Sequence, residues 1–233
     1  MPVYNESEGI GEFLLELNEA FKAFKVYFYI VDDCSSDDTS QILRKMQDKI
    51  QMEIIRNHEN LGHGPSTLKA LRMAKIDNDG YVLSVDGDGQ FLAKDILRLV
   101  ENTIQRGAQV GIGLRIREND PYFRVVLTFI TRILIFMKTF KFPKDANTPL
   151  RLYRPQILSE LIKELSCETP VPNLFILKSI YKNKLSVHTE KVLFLARRGS
   201  SKTGTSWGES VRFFPQKRLI QFSWNSFIYW IRN

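Results

Sequence analysis

The first 117 residues exchange two periodicities in regular alternation, and that exchange limits the fold more than any other feature of the chain. Helical spacing over residues 8–24 places Ile10, Phe13, Leu14, Leu17 and Phe21 on one face. Tyr27-Phe28-Tyr29-Ile30-Val31 then reads as a buried strand ending at Asp32-Asp33, and Ser36 or Asp37 is placed to cap a helix reaching residue 48. Residues 52–56 read as a short strand. Leu61-Gly62-His63-Gly64 turns into a helix over 66–75, and Tyr81-Val82-Leu83-Ser84-Val85 reads as another buried strand. A helix over 93–105 and a strand over 109–113 follow. This order predicts an α/β fold on a mostly parallel, doubly wound sheet with helices on both faces. Ligands of such sheets bind beyond the carboxyl ends of the strands. After Arg117 the alternation fails and the chain turns more basic and aromatic.

A chain of 233 residues suits one α/β domain, and 43% hydrophobic content suits a sizeable core. Within that single domain, residues 1–117 and 118–233 read as two functional halves. Cys34 and Cys167 lack the number for a disulfide framework and the paired spacing of a zinc site, so they read as reduced thiols. The formal charge of +7 fits nucleic acid, anionic membrane or phosphorylated ligands. No nucleic-acid-binding motif accompanies the Arg197-Arg198 cluster or the Arg212, Lys217 and Arg218 cluster, so phosphate groups are the better match. No apolar run reaches the roughly 20 residues of a bilayer-spanning helix. The opening Met1-Pro2-Val3-Tyr4-Asn5-Glu6 carries no signal-peptide pattern and reads as the end of a strand whose first residues are missing.

Two strand ends carry chemistry. A strand that ends in Asp86-Gly87-Asp88-Gly89-Gln90 can set two hard oxygen ligands around one divalent cation, Mg²⁺ or Mn²⁺, with glycines permitting close approach. The same residues also serve as an ordinary Asp/Gly turn. Capping explains Ser36 or Asp37 but not the pair Asp32-Asp33, which a buried strand delivers to the ligand edge to meet a base, a ribose or a metal. His58, His63 and His188 have no zinc spacing, and His63 is expected to pack its own loop.

These residues resemble family 2 glycosyltransferases of the GT-A fold. The resemblance rests on seven motifs in order. They are residues 2–6, 31–39 and 60–64, then 86–90, Gly113-Leu114-Arg115, 147–154 and 197–202. The later motifs are most similar to the polyprenyl-phosphate branch. The resemblance implies that residues 1–117 bind a nucleotide-diphosphate sugar and residues 118–233 bind the acceptor. It puts Pro2, Tyr4, Glu6, Asp32, Asp33 and Asp86 at the donor, with Asp33 in support. Asp86, Asp88 and Gln90 would form the metal site. Arg115, Arg124, Arg132, Arg151, Arg198, Ser201 and Lys202 would hold phosphates, and Asp86, Asp88, Arg115 and Arg151 would make up the catalytic group. Cys34 stands where the family usually has Gly.

A lipid acceptor has independent support. Residues 122–140 read as a helix whose Arg124, Thr128, Thr131, Arg132, Lys138 and Thr139 share an arc of about 120°. An apolar helix with a basic stripe suits a membrane interface, although burial or a dimer contact would also use it. Phe222, Trp224, Phe227, Tyr229 and Trp230 in the tail suit the headgroup level or packing on the domain, and Pro215 marks a helix break or start. A sugar hydroxyl needs a general base, whereas a phosphate acceptor is already anionic near neutral pH. No carboxylate between Asp88 and Arg151 stands out as a base. The expectation is an inverting transfer to a polyprenyl phosphate at the cytoplasmic membrane face. A saccharide acceptor is the alternative, and a receiver-like or inactive binding domain is the remote one.

Overall fold

The computed structural model describes residues 1–74, 80–116, 122–199 and 217–232. In chain order its elements are β1 (Pro2–Val3), α1 (Ile10–Ala20), β2 (Phe28–Asp32), α2 (Thr39–Met46), β3 (Met52–Arg56) and α3 (His63–Met73). These are followed by β4 (Val82–Ser84), α4 (Ala93–Gln105), β5 (Val110–Ile116), α5 (Tyr122–Thr139), β6 (Arg151–Tyr153), α6 (Pro155–Ile162), α7 (Pro172–Lys182), β7 (Val187–Leu193) and α8 (Lys217–Arg232). The first sheet is parallel, in the order β1-β2-β3, and the second runs β4-β6-β5-β7. In the second, β5 and β7 are parallel while β6 lies antiparallel to both of its neighbours. The two sheets meet where Gly87 N–H, just beyond β4, donates to Pro2 O at 3.2 Å. A Cβ on Gly87 would run into Val3 Cγ1, so only glycine lets the strand ends come this close.

The expected alternation therefore does not stop at Arg117. Strands β6 and β7 come from the later half and build the same sheet as β4 and β5. They escape a pattern reading for physical reasons. Strand β6 is three residues long and begins with an arginine, and β7 places His188, Glu190 and Lys191 among its apolar residues.

Period-two alternation in β6 sorts the sheet faces. Leu152 joins Phe13, Leu17, Phe91, Ile96, Leu99 and Val192 beneath α1 and α4. Tyr153 joins Val110 and Ile112 on the other face, under Leu68 of α3, Ile135 of α5, Ile176 of α7 and Trp230 of α8. Each fully buried side chain of this kind contributes roughly 1.5–3 kcal/mol. A third cluster, with Val3, Ile10, Leu14, Ile30 and Leu43, fixes the first sheet to α1 and α2.

Helix α5 buries Ile135 and half-buries Thr128, Thr131, Arg132 and Thr139, but exposes Lys138 and many of its apolar side chains. Thr131 and Thr139 hydroxyls donate to Thr128 O and Ile135 O, and Arg132 Nε donates to Pro143 O at 2.7 Å. Val125, Val126, Phe129, Ile130 and Met137 are exposed, as is Phe140 just beyond, at 84%. Helix α8 packs through Tyr229 and Trp230 against Phe175 of α7, while Ile220, Phe222, Trp224 and Ile231 face out. The expected packing on the domain is thus seen for Tyr229 and Trp230. Pro215 lies outside the described residues, and no helix among those described is long and apolar enough to cross a membrane.

Candidate active site

Strand β4 ends in a buried Val85 and then delivers two half-buried carboxylates, Asp86 and Asp88, to the junction of the sheets. Gly89 adopts φ 65°, a left-handed conformation that turns the loop back. Asp86 Oδ1 lies 2.9 Å from Nε2 of His63, the first residue of α3. Burial opposes ionisation of Asp86, but His63 and Arg115 outweigh it and hold the carboxyl below the usual range. Burial together with the charge of Asp86 pushes Asp88 up to about 6. Asp86 in turn raises the His63 imidazole. Asp86 thus favours its ionised form while it hinders ionisation of Asp88, and a cation between the two would relieve that repulsion.

A segment from the far end of the chain covers this loop. Leu195 N–H donates to Gln90 O at 2.9 Å, Gln90 Nε2 donates to Leu195 O at 2.7 Å, and Arg198 N–H donates to Asp88 O at 3.1 Å. Arg197 then reaches the opening loop. It pairs with the buried Glu6 and donates to Tyr4 O at 3.1 Å and Asn5 O at 3.2 Å. Burial pushes Glu6 up to about 8, against the opposing pull of Arg197.

The aspartates after β2 serve their own loops. Asp32 accepts from Ser35 N–H at 2.9 Å and from the Ser40 hydroxyl, and is 1% exposed. Asp33 accepts from Asn57 Nδ2 at 2.8 Å, Leu61 N–H at 2.9 Å and Gly62 N–H at 2.9 Å, which sets the entry to α3. Asp37 accepts from the Thr39 N–H that opens α2, but the N-cap position is Asp38, one residue beyond the expected Ser36 or Asp37, and its side chain makes no capping bond. Cys34 between them adopts φ 62°, the conformation that a glycine at this place takes freely.

The expected phosphate-binding groups divide. Arg115 donates twice to Asp145, at 2.7 and 2.8 Å, and stands over the Phe194 ring close enough to act on Asp86. Arg151 is fully buried, with Nε on Thr148 O at 3.0 Å and Nη2 on Ala146 O at 3.2 Å, so it is not placed to touch a phosphate. Its position in the middle strand of the sheet is the reason. Arg198 lies over Gly89, donating from Nε to Gly89 O at 3.3 Å, and reaches on to α1, where Glu16 takes it at 2.9 and 2.5 Å, while the Arg197 charge acts on Asp88. Arg132 is engaged at Pro143 O and over Phe142. The Arg124 side chain, Ser201 and Lys202 lie outside what is described. Tyr4 is half-buried beside Arg197, and Pro2 is buried in β1.

Three participants do not stand out in the sequence. Arg197 is visible there only as half of a basic pair. His63, expected to pack its loop, instead reaches Asp86. Asp145 has no motif signal of its own.

The comparisons agree with this geometry. The family model "Glycosyl transferase family 2" matches residues 1–162. An uncharacterised protein of Methanocaldococcus jannaschii is 28% identical over 170 residues, covering 69% of this chain and 72% of its own. The undecaprenyl-phosphate 4-deoxy-4-formamido-L-arabinose transferase of Salmonella choleraesuis is 26% identical over 190 residues, covering 81% of this chain but 58% of its own length. A mannosyltransferase from Pyrobaculum calidifontis, solved with GDP-Man and Mn²⁺, superimposes with a TM-score of 0.60 at 17% identity, over 100% of this chain and 63% of that one. This likeness shows the GT-A fold. With more than half of its length matched, the chain belongs to glycosyl transferase family 2.

Proposed function

We propose that this domain transfers a sugar from a nucleotide-diphosphate donor to a polyprenyl phosphate at a membrane surface. The observation that carries the reading is the Asp86–Asp88 loop, acidic and half-buried at the sheet junction, with Arg115 and Arg197 beside it.

The donor set fits Mg²⁺ or Mn²⁺. Among the described residues no three His, Cys, Asp or Glu side chains form a complete cage, and hard cations of this kind take further oxygens from water and substrate phosphates. Asp86 and Asp88 would hold the ion, and Gln90 ties their loop to the covering segment. When bound, such an ion neutralises a diphosphate and stabilises the charge on it as it departs. Arg115 would orient a phosphate from the side of β5. Tyr4, Glu6 and the loops that Asp32 and Asp33 shape would receive the nucleoside.

The acceptor reading has two supports. Glu6 is engaged by Arg197 and Asp145 by Arg115, so a phosphate that needs no deprotonation is better served here than a sugar hydroxyl. The outward apolar faces of α5 and α8 carry aromatic side chains suited to a bilayer interface. The Salmonella relative is named for transfer to undecaprenyl phosphate.

The test is transfer from labelled UDP-, GDP- and dTDP-sugars, with Mn²⁺ or Mg²⁺, into short-chain polyprenyl phosphate. Metal-dependent label in the lipid phase is the expected result. Label confined to water-soluble saccharide would move the acceptor to a sugar hydroxyl, and the absence of both transfer and donor binding would overturn the reading.

A further inference from the structure

Arg151 presents a physical problem. It is fully buried at the centre of the second sheet, paired across to Ser84 and Ile112, and its Nη1 has no hydrogen-bond partner. Among the described residues no carboxylate answers its charge; it donates to the carbonyls of Thr148 and Ala146, and its other polar neighbour is the buried Tyr153 hydroxyl. A buried, uncompensated charge is a poor source of stability, and an apolar side chain of similar volume generally does as well. What this side chain does achieve is local. It ties two carbonyls of the segment between α5 and β6 to the strand below.

That segment carries Asp145. Its carboxylate accepts from Arg115 Nε at 2.7 Å and Nη2 at 2.8 Å, and from Asn147 N–H at 3.2 Å. Farther along, Leu150 O accepts from Gly113 N–H at 3.0 Å, two residues before Arg115. Phe194 lies against the guanidinium, 5.3 Å from ring centre to Cζ, and itself packs edge-on against Phe91. A guanidinium held by a planar fork on one side and a ring on another has little freedom left. From that position its charge acts on Asp86.

We infer that Arg151 is a positioning residue: it fixes residues 145–150 from inside the core, so that Asp145 aims Arg115 at the acidic loop. This rests on the proposed role of Arg115 at a phosphate. The fork geometry is the means, and a loss of about 1 Å in placement is enough to lower the efficiency of a site by orders of magnitude.

The experiment compares Arg115→Ala, Asp145→Asn, Arg151→Lys and Arg151→Met, and combines the last three with Arg115→Ala. Binding of UDP and GDP with Mn²⁺ is measured by calorimetry, unfolding by circular dichroism, and the geometry by crystal structures of the Arg151 variants. Arg115→Ala is expected to weaken the preferred nucleotide at least tenfold. Asp145→Asn and the Arg151 variants should weaken it several-fold, with nothing further lost in the Arg115→Ala background. The Arg151 crystal structures should show the Arg115–Asp145 fork broken or rotated. Should Arg115→Ala bind like the parent, the phosphate role of Arg115 fails, and the crystal structures alone decide the positioning claim. An intact fork in Arg151→Met, or additive losses in the double variants, overturns it. If Arg151→Met does not fold, Arg151→Lys and Asp145→Asn decide the question by the same criteria.

Discussion

His63 Nε2 and Asp86 Oδ1 stand 2.9 Å apart, so a ring from the first turn of α3 answers a carboxylate from the loop after β4. The pair joins two loops that strand order alone would leave side by side. It also places a titrating cation where a divalent ion is proposed to act.

Its pH signature follows from linkage. Asp86 raises the His63 pKa above 6.5, so the stabilisation is complete below that value and is lost as pH rises through the folded-state value. His63 is half exposed, which limits the effect to about 1 kcal/mol or less. In chelator-treated protein, the stability difference between parent and His63→Gln should be largest near pH 6 and shrink toward pH 8. Urea unfolding across that range is the measurement, and a pH-independent difference would show that the pair does not titrate as a unit.

Asp88→Asn should separate stability from function. The carboxyl is pushed up to about 6 by burial and by Asp86, so its ionisation disfavours the folded state as pH rises from about 4 to 6. Without metal at pH 7, the Asn variant should melt higher than the parent. Added Mn²⁺ should raise the melting temperature of the parent alone, and sugar transfer by the variant should fall at least about 100-fold, as for a lost electrostatic stabiliser. Full turnover with saturating metal would reassign the residue.

Arg197→Met strands Glu6 without its partner in a buried site. Removing one member of such a pair costs about 3 kcal/mol. The loss should be greatest above pH 8 and smaller toward pH 5, because Glu6 escapes the penalty by taking up a proton. Denaturation at both pH values checks the sign, and the Glu6→Gln/Arg197→Met double variant should recover part of the loss.

Cys34→Gly tests the backbone at the end of β2. At φ 62° a non-glycine residue carries roughly 1 kcal/mol of strain, which glycine relieves while adding freedom to the unfolded chain. Stability within about 1 kcal/mol of the parent is expected, whereas Cys34→Val should fall clearly below it in urea.

Phe129→Asp and Phe140→Asp alter side chains that are already exposed, so melting temperatures should hold. Sedimentation with vesicles containing anionic lipid should drop several-fold if this face meets a bilayer. Unchanged sedimentation would remove α5 from the membrane reading.

The legible part of the fold ends where side-chain periodicity stops reporting burial. Helix α4 falls where the pattern places it, because a long amphipathic run leaves few alternatives. Strand β6 cannot be read that way, since its first residue is an arginine whose burial depends on carbonyls three and five residues upstream. The site divides likewise. The acidic loops are visible because strand ends deliver them to one edge. Which of Arg197 and Arg198 faces that edge depends on Glu6 and Glu16, well over a hundred residues away, and adjacency in sequence carries no such information.

The Arg197–Glu6 bond closes a loop of 191 residues. During synthesis the first sheet can form while the cover of its ligand edge is still untranslated, since chains organise from the amino end onward. Until residue 197 emerges, Glu6 has no cation and the acidic loop no roof. Strand β4 has its sheet partner only in β6, so the acidic loop is set in place after residue 153 is made, and the junction closes only later, when Arg197 reaches Glu6.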